Sequence, residues 1–331
     1  MTMWKNWRQR RKTSPLEVPL RPGLDPRALE SQTPIGISTE ARIAMAVRCR
    51  DADDVPKVKN AGKVVELADG GPVQIMHNGL RVKAGGYHGL WMQHLIELCR
   101  GHHEPQEERA FHAVMGILPE KGWMIELGGF WSYYSLWFLQ GHRKRRAIVL
   151  EPDPAHIEVG RANARLNDLA PDFVQGFVGA TSLAPQAFET EDSGICQVPR
   201  YSVPDLLASR RIERLTLLHC DTQGAEFDTL LGCEALFAAR RIDWVFVSTH
   251  VHHISGDPLT HQRCLALLLN AGATIVAEHD VHESFSGDGL IVATFAPLPR
   301  TWRPLQLSHN RYSTSLFRNP LYDLAARGAS G

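Results

Sequence analysis

Residues 124–152 constrain this chain more than any other stretch. Met124-Ile-Glu-Leu-Gly-Gly129 is a short apolar run closed by an acid and two glycines, Tyr133–Gln140 has helical apolar spacing, and Ala147-Ile-Val-Leu-Glu-Pro152 is a second apolar run closed by an acid and a proline. A strand, a tight turn, an amphipathic helix and a second strand make the nucleotide-binding half of a doubly wound sheet, which places ligands outside the carboxyl ends of its strands.

The alternation continues downstream. Strand patterns recur at Phe173–Val178, Leu215–Cys220, Trp244–Thr249, Thr274–Ala277 and Leu290–Phe295, and helical ones at Pro154–Leu166, Val203–Ser209, Ala225–Arg240 and Leu259–Asn270. Only Asp280–Gly289, with Gly287 and Gly289 inside it, separates the last two strands. That is too short for a helical crossover, so they pair antiparallel. The expectation is an α/β fold: a seven-stranded, mostly parallel sheet ending in an antiparallel hairpin.

Ahead of this domain, residues 1–38 are rich in Arg, Pro and Ser without an apolar period and read as a mobile or loosely docked arm. Residues 39–120 predict an N-terminal hairpin and helical cap. Apolar and charged residues mix from Ile43 to Leu67, Asn78-Gly79 turns a hairpin, Gly85–Gly89 is a turn, Trp91–Cys99 is helical, and a second helix starts at Glu104-Pro105. The main domain spans 121–300. A tail over 301–331 carries aromatics and arginines (Trp302, Arg311, Arg318, Tyr322) that suit docking on the sheet or on a second subunit, leaving room for a homo-oligomer.

Charge excludes some partners. Lys plus Arg equals Asp plus Glu at 36 each, so no bulk positive field argues for nucleic acid. The six cysteines include no Cys-x-x-Cys pair and predict reduced thiols in a cytoplasmic protein. The basic start around Arg10 and Arg11 is followed by no signal-peptide core, and no stretch approaches the roughly 20 apolar residues of a membrane span.

The ligand is narrowed by the strand ends. A diphosphate needs three spaced glycines, but Gly128 and Gly129 are followed by Phe130-Trp131 and then Ser132. Glu151 stands 25 positions after Glu126, near the spacing at which an acid grips ribose hydroxyls, while Glu126 suits a cationic amino group. An adenosine with a zwitterionic amino-acid tail, S-adenosylmethionine, meets both requirements. A structural strand-to-helix turn without a ligand is the alternative.

Three motifs, Ile125-Glu-Leu-Gly-Gly-Phe-Trp-Ser-Tyr-Tyr-Ser-Leu136, Glu151-Pro-Asp-Pro154 with Asn163 and Asn167, and Cys220-Asp-Thr-Gln-Gly-Ala-Glu-Phe-Asp-Thr-Leu-Leu-Gly232, resemble those of the FkbM family of S-adenosylmethionine-dependent methyltransferases over residues 104–296. The resemblance implies a Rossmann-like class I fold and methyl transfer, usually to a hydroxyl oxygen of a sugar or natural product. Two departures stand out: Ser132 replaces the family's last glycine of the first motif, and a histidine-rich segment follows the fifth strand.

Asp221 closes the fourth strand beside the first, so its end overlooks the ligand. It could orient an acceptor hydroxyl, act as base or bind metal. Glu226 either joins that site or only favours the dipole of its helix. Ser248-Thr-His250-Val-His252-His253, then His279, Asp280, His282 and Asp288, fall in loops on the same side of the sheet. In extended backbone His250 and His252 share a face, so either one, helped by Asp221, is a candidate base for a hydroxyl. A divalent metal held by three of these groups is the alternative, with structural capping a third reading. Tyr87-His88 and Glu104–Glu108 in the cap either line the pocket or form a solvated helix face. The residues therefore predict an O-methyltransferase that binds its donor with Glu126, Gly128, Gly129, Ser132, Glu151 and Asp221 and takes a small-molecule or glycan acceptor. A nicotinamide-dependent oxidoreductase, or a non-catalytic cofactor-binding module, is the competing reading.

Overall fold

The computed structural model describes residues 38–68 and 71–310. Apart from Ser38, the arm read over 1–38 lies outside the described residues, as do Arg311, Arg318 and Tyr322.

Helix α1 (Thr39–Arg48) begins where the Ser38 hydroxyl accepts a bond from the Ala41 N–H. It lies partly in the stretch whose mixed composition predicted no element, because its buried positions Thr39, Ile43 and Ala46 make a narrow apolar face. Strands β1 (Val64–Leu67), β2 (Gly71–Ile75) and β3 (Arg81–Lys83) form an antiparallel sheet, and Gly79 of the expected Asn-Gly turn has φ +89°. Helices α2 (Gly89–Leu98) and α3 (Pro105–Met115) complete the cap, with Pro105 in the first turn, where its missing N–H is harmless.

The main domain then alternates: β4 (Lys121–Leu127), α4 (Tyr133–Leu139), β5 (Lys144–Glu151), α5 (Pro154–Leu166) and β6 (Asp172–Gln175). The strand predicted over Phe173–Val178 is broken at Gly176. Its end, β7 (Phe177–Val178), pairs instead with a hairpin of β8 (Leu183–Thr190) and β9 (Gly194–Tyr201). A Cβ on Gly176 would sit 2.7 Å from the Pro199 carbonyl oxygen, so the crossing needs glycine. The sequence pattern missed the hairpin because β8 is exposed at nearly every position and shows no apolar alternation.

The remaining elements are α6 (Val203–Ser209), β10 (Leu215–Cys220), α7 (Glu226–Gly232), α8 (Glu234–Ala238), β11 (Ile242–Thr249), α9 (His252–Ser255), α10 (Thr260–Asn270), β12 (Thr274–His279) and, after a 3-10 turn, β13 (Gly289–Thr294). The single helix expected over Ala225–Arg240 is two. A Cβ on Gly232 would meet the Ala180 backbone at 2.7 Å, and the chain turns there.

The central sheet has the order β12-β13-β11-β10-β4-β5-β6, with β13 antiparallel to both neighbours and every other pair parallel. This is the expected seven-stranded layout, and its switch point lies between β4 and β10. Successive residues of β4 feed opposite layers. Met124 joins Ile43, Met76, Trp91, Phe111 and Phe246 on the cap side, and Ile125 joins Leu206, Leu218, Leu230 and Leu268 on the other. The cap is therefore part of the sheet's own core. For the same reason α4 is buried at all seven positions rather than amphipathic: Phe111 packs 4.9 Å from Trp137, and His77 meets that ring edge-on at 4.5 Å. Each such side chain contributes roughly 1.5–3 kcal/mol by leaving water. Among the described residues no helix is long and apolar enough to cross a membrane.

Candidate active site

At the switch point the backbones of β4 and β10 nearly touch. A Cβ on Gly128, which has φ +74°, would lie 1.7 Å from the Asp221 carbonyl oxygen, and one on Gly129 would lie 2.2 Å from Val149 Cγ1. The two glycines are thus required by chain packing. Ser132 takes φ +64°, a conformation that favours glycine. A Cβ at Gly160 of α5 would lie 2.4 Å from its hydroxyl.

Both acids of the first half-site are buried. Glu126 accepts from the Tyr134 N–H at 3.3 Å and the Ser135 N–H at 3.0 Å, bracing the start of α4, and burial pushes its carboxyl up. Glu151 accepts from the Phe130 N–H at 3.0 Å through one oxygen and from the Asp153 N–H at 2.9 Å through the other. A carboxylate offers about four acceptor positions, so two remain for the paired hydroxyls of a ribose. The His156 ring lies 3.5 Å from Glu151 Oε1 and stacks on Phe130. Asp153 accepts from Asp192 N and Ser193 N of the β8–β9 turn, bringing that hairpin tip to the same strand end.

The second half of the site centres on His250, at the end of β11. Its Nδ1 is 2.9 Å from Glu226 Oε1; its Nε2 is 3.2 Å from Asp221 Oδ1 and 3.7 Å from Asp288 Oδ1. Glu226 also accepts from the N–H groups of Thr222 and Gly224, so it belongs to the site and is more than a dipole partner. Burial alone would lower the His250 pKa, but the carboxylates of Asp288, Asp221 and Glu226 outweigh it and hold the imidazole well above its ordinary value. The three carboxylates thus favour the imidazolium form, which has no lone pair to offer as a base. The Gln223 amide, 2.9 Å from Nε2, must then turn its oxygen toward the ring. Burial and the nearby Asp221 charge raise the Asp288 carboxyl to about 6, against the pull of His250. Asp221 Oδ1 is buried against the ring and pairs with it electrostatically without a well-aligned hydrogen bond.

The expected gathering of histidines does not form. The chain leaves extended geometry at Val251 and enters α9, so His252 does not share a face with His250 and lies exposed beside the exposed His253. His282 is exposed as well, and Asp280 is taken by the cap of the 3-10 turn. His279 is buried, with its Nδ1 3.2 Å from the Asp280 carbonyl oxygen. Of that set only Asp221, His250 and Asp288 meet.

In the cap, Gln106, Glu107 and Glu108 are buried rather than solvated. Glu107 Oε1 lies 2.7 Å from His219 Nε2 on β10, and its other oxygen accepts from Ser248. Glu108 lies 2.6 Å from His102 Nδ1 and 2.7 Å from His103 Nδ1. The sequence reading passed over His77, His102, His103 and His219. The run His102-His103-Glu104, followed closely by two more acids, was the available signal.

A seven-stranded sheet with β13 between β11 and β12, bearing acids at the ends of β4, β5 and β10, defines a Rossmann-like class I methyltransferase. Residues 112–275 match the family model described as "Methyltransferase FkbM domain", so the chain carries a methyltransferase domain of that kind. This match removes the oxidoreductase and non-catalytic readings. Among solved structures, the precorrin-6y C5,15-methyltransferase of Geobacter metallireducens is similar at 14% identity, covering 58% of this chain and 89% of its own, with a TM-score of 0.37. Aeropyrum pernix fibrillarin in complex with S-adenosyl-L-methionine is similar at 16% identity, 56% and 74% coverage and a TM-score of 0.36. TrmK of M. capricolum in complex with S-adenosyl-homocysteine is similar at 9% identity, 56% and 67% coverage and a TM-score of 0.37. Comparison with curated proteins gives no match.

Proposed function

We propose that this chain is an S-adenosylmethionine-dependent O-methyltransferase acting on a hydroxyl of a sugar or natural-product acceptor. The observation that carries the reading is the Asp221–His250–Asp288 cluster at the switch point: carboxylates a quarter exposed, flanking a buried imidazolium. When bound, S-adenosylmethionine supplies an electrophilic methyl group. The chain's residues bind, orient and deprotonate around it. Glu151 offers its two free acceptor positions to the ribose hydroxyls, Glu126 holds the turn into α4 that frames the donor, and Gly128, Gly129 and Ser132 shape that turn.

A hydroxyl must lose its proton as its oxygen gains the methyl group, and a carboxyl titrating at about 6 is suited to take it near neutral pH. Asp288 is assigned that role, with Asp221 accepting a hydrogen bond from the same hydroxyl or the donor's ammonium. His250 is a positioning residue: its charge lets two carboxylates stand side by side. This revises the expectation of a histidine base, because an imidazole enclosed by carboxylates keeps its proton.

The test is transfer of a labelled methyl group from S-adenosylmethionine to a panel of hydroxylated acceptors, with calorimetry of donor binding. The reading expects an ether product, and Glu151→Ala should weaken donor affinity about 10- to 100-fold through lost hydrogen bonds to charge. Unchanged affinity in that variant, or product only at nitrogen, would overturn it.

A further inference from the structure

The histidine cluster beneath the cap takes no part in the proposed methyl transfer. His77 follows β2, His102 lies between α2 and α3, and Glu108 sits on α3; their exposures are 1%, 1% and 0%. His77 Nδ1 is 3.3 Å from the Pro56 carbonyl oxygen, which can only accept, so that nitrogen carries the proton and Nε2 presents a lone pair. This lone pair faces Glu108 Oε2 at 3.6 Å, acceptor against acceptor. His102 Nδ1 points at the same carboxylate oxygen at 2.6 Å. The Nε2 atoms of both histidines lack hydrogen-bond partners among the described residues. Two imidazoles and a carboxylate thus converge, buried, with an Nε2 of each ring left without a partner, and one ligand atom from each residue lies within 4.8 Å of the others.

We infer that His77, His102 and Glu108 bind a divalent ion of the zinc class. Two neutral imidazoles and one carboxylate suit a borderline cation and disfavour magnesium or calcium, which take oxygen ligands. Three protein ligands leave a fourth position for water. The supporting shell is present. Pro56 orients His77, while Glu108 Oε1 is held by the His103 N–H and lies 2.7 Å from the His103 Nδ1, fixing the carboxylate. A cavity of about 260 Å3, lined by His102, Cys49, Cys99, Asp53 and Lys57, gives an approach. The ion would clamp the hairpin, the α2–α3 link and α3 together, and through the Tyr133 hydroxyl on Glu108 Oε2, 3.1 Å away, brace the start of α4.

The full chain is incubated with zinc, freed of excess by gel filtration and measured by plasma mass spectrometry and thermal melting. About one zinc per chain is expected, lost in His77→Gln and His102→Gln and kept in His250→Gln. Because the first two variants can misfold, the wild type is also melted. Zinc should raise its midpoint by about 5 °C and a chelator should reverse the rise. A folded wild type that retains no zinc and melts identically with zinc and chelator would overturn the site, as would loss of the metal in His250→Gln alone. Methyl transfer is read separately: a wild type that transfers methyl but fails to retain zinc or to gain stability from it loses this site and leaves the proposed function standing.

Discussion

Two buried histidine–carboxylate clusters stand in this molecule's polar interior, and they have opposite proportions. At the switch point one imidazole is surrounded by Asp221, Glu226 and Asp288, and two of those acids reach solvent. Beneath the cap, His77, His102 and His103 surround Glu108, and all four side chains are closed from solvent. A surplus of carboxylates with an opening leaves one acid free to gain and lose a proton against an incoming hydroxyl. A surplus of imidazoles in a closed space leaves ring nitrogens without partners, which suits the ion inferred above. The same two residue types thus support different chemistry, decided by ratio and access.

The largest expected effect separates the clusters by rate. Asp288→Asn should lower kcat by about 10²- to 10⁴-fold, the usual worth of a positioned base, with donor affinity and melting point nearly unchanged. His252→Ala, on exposed α9, is the control and should leave kcat as it is. A next, structural effect belongs to the cap. Glu108→Gln removes the carboxylate on which the buried histidines converge, and should destabilise the fold by about 3–5 kcal/mol in denaturant titration. If Glu108→Gln instead lowered kcat with full stability, the division of labour between the clusters would fail. The smallest effect concerns the strand-end acid Asp153, whose bonds to the Ser193 hydroxyl and to the Asp192 and Ala155 N–H groups outweigh the upward push of burial and hold its carboxyl down to about 2. Its stabilisation is present above the unfolded value near 4 and disappears as pH falls toward 2, about 2 kcal/mol in acid unfolding curves, absent in Asp153→Asn.

Much of this molecule was legible in its residues. The succession of strands and helices, the antiparallel end, the Asn78-Gly79 turn and the placement of Glu126, Glu151 and Asp221 at strand ends all follow from period and punctuation, which are local signals. Three kinds of feature were not. The β8–β9 hairpin is solvated on almost every residue and carries no apolar period. The helix break at Gly232 is set by packing against Ala180, a contact distant in sequence. The histidines were hard to judge for a geometric and an electrostatic reason: His252 turns away on exposed α9, and His250 has the position of a base but three carboxylate neighbours that favour its charged form, none of which is a local signal.

In the function proposed here a carboxylate, not an imidazole, receives the acceptor's proton. The most direct measurement is the pH dependence of kcat at saturating donor and acceptor, for the wild type and Asp288→Asn. The wild type should rise to a plateau through an apparent pKa near 6, the macroscopic value of the Asp221–His250–Asp288 group, and the variant should lose that step. A step near 6 that persists unchanged in Asp288→Asn and disappears in His250→Gln would return the role of base to the histidine.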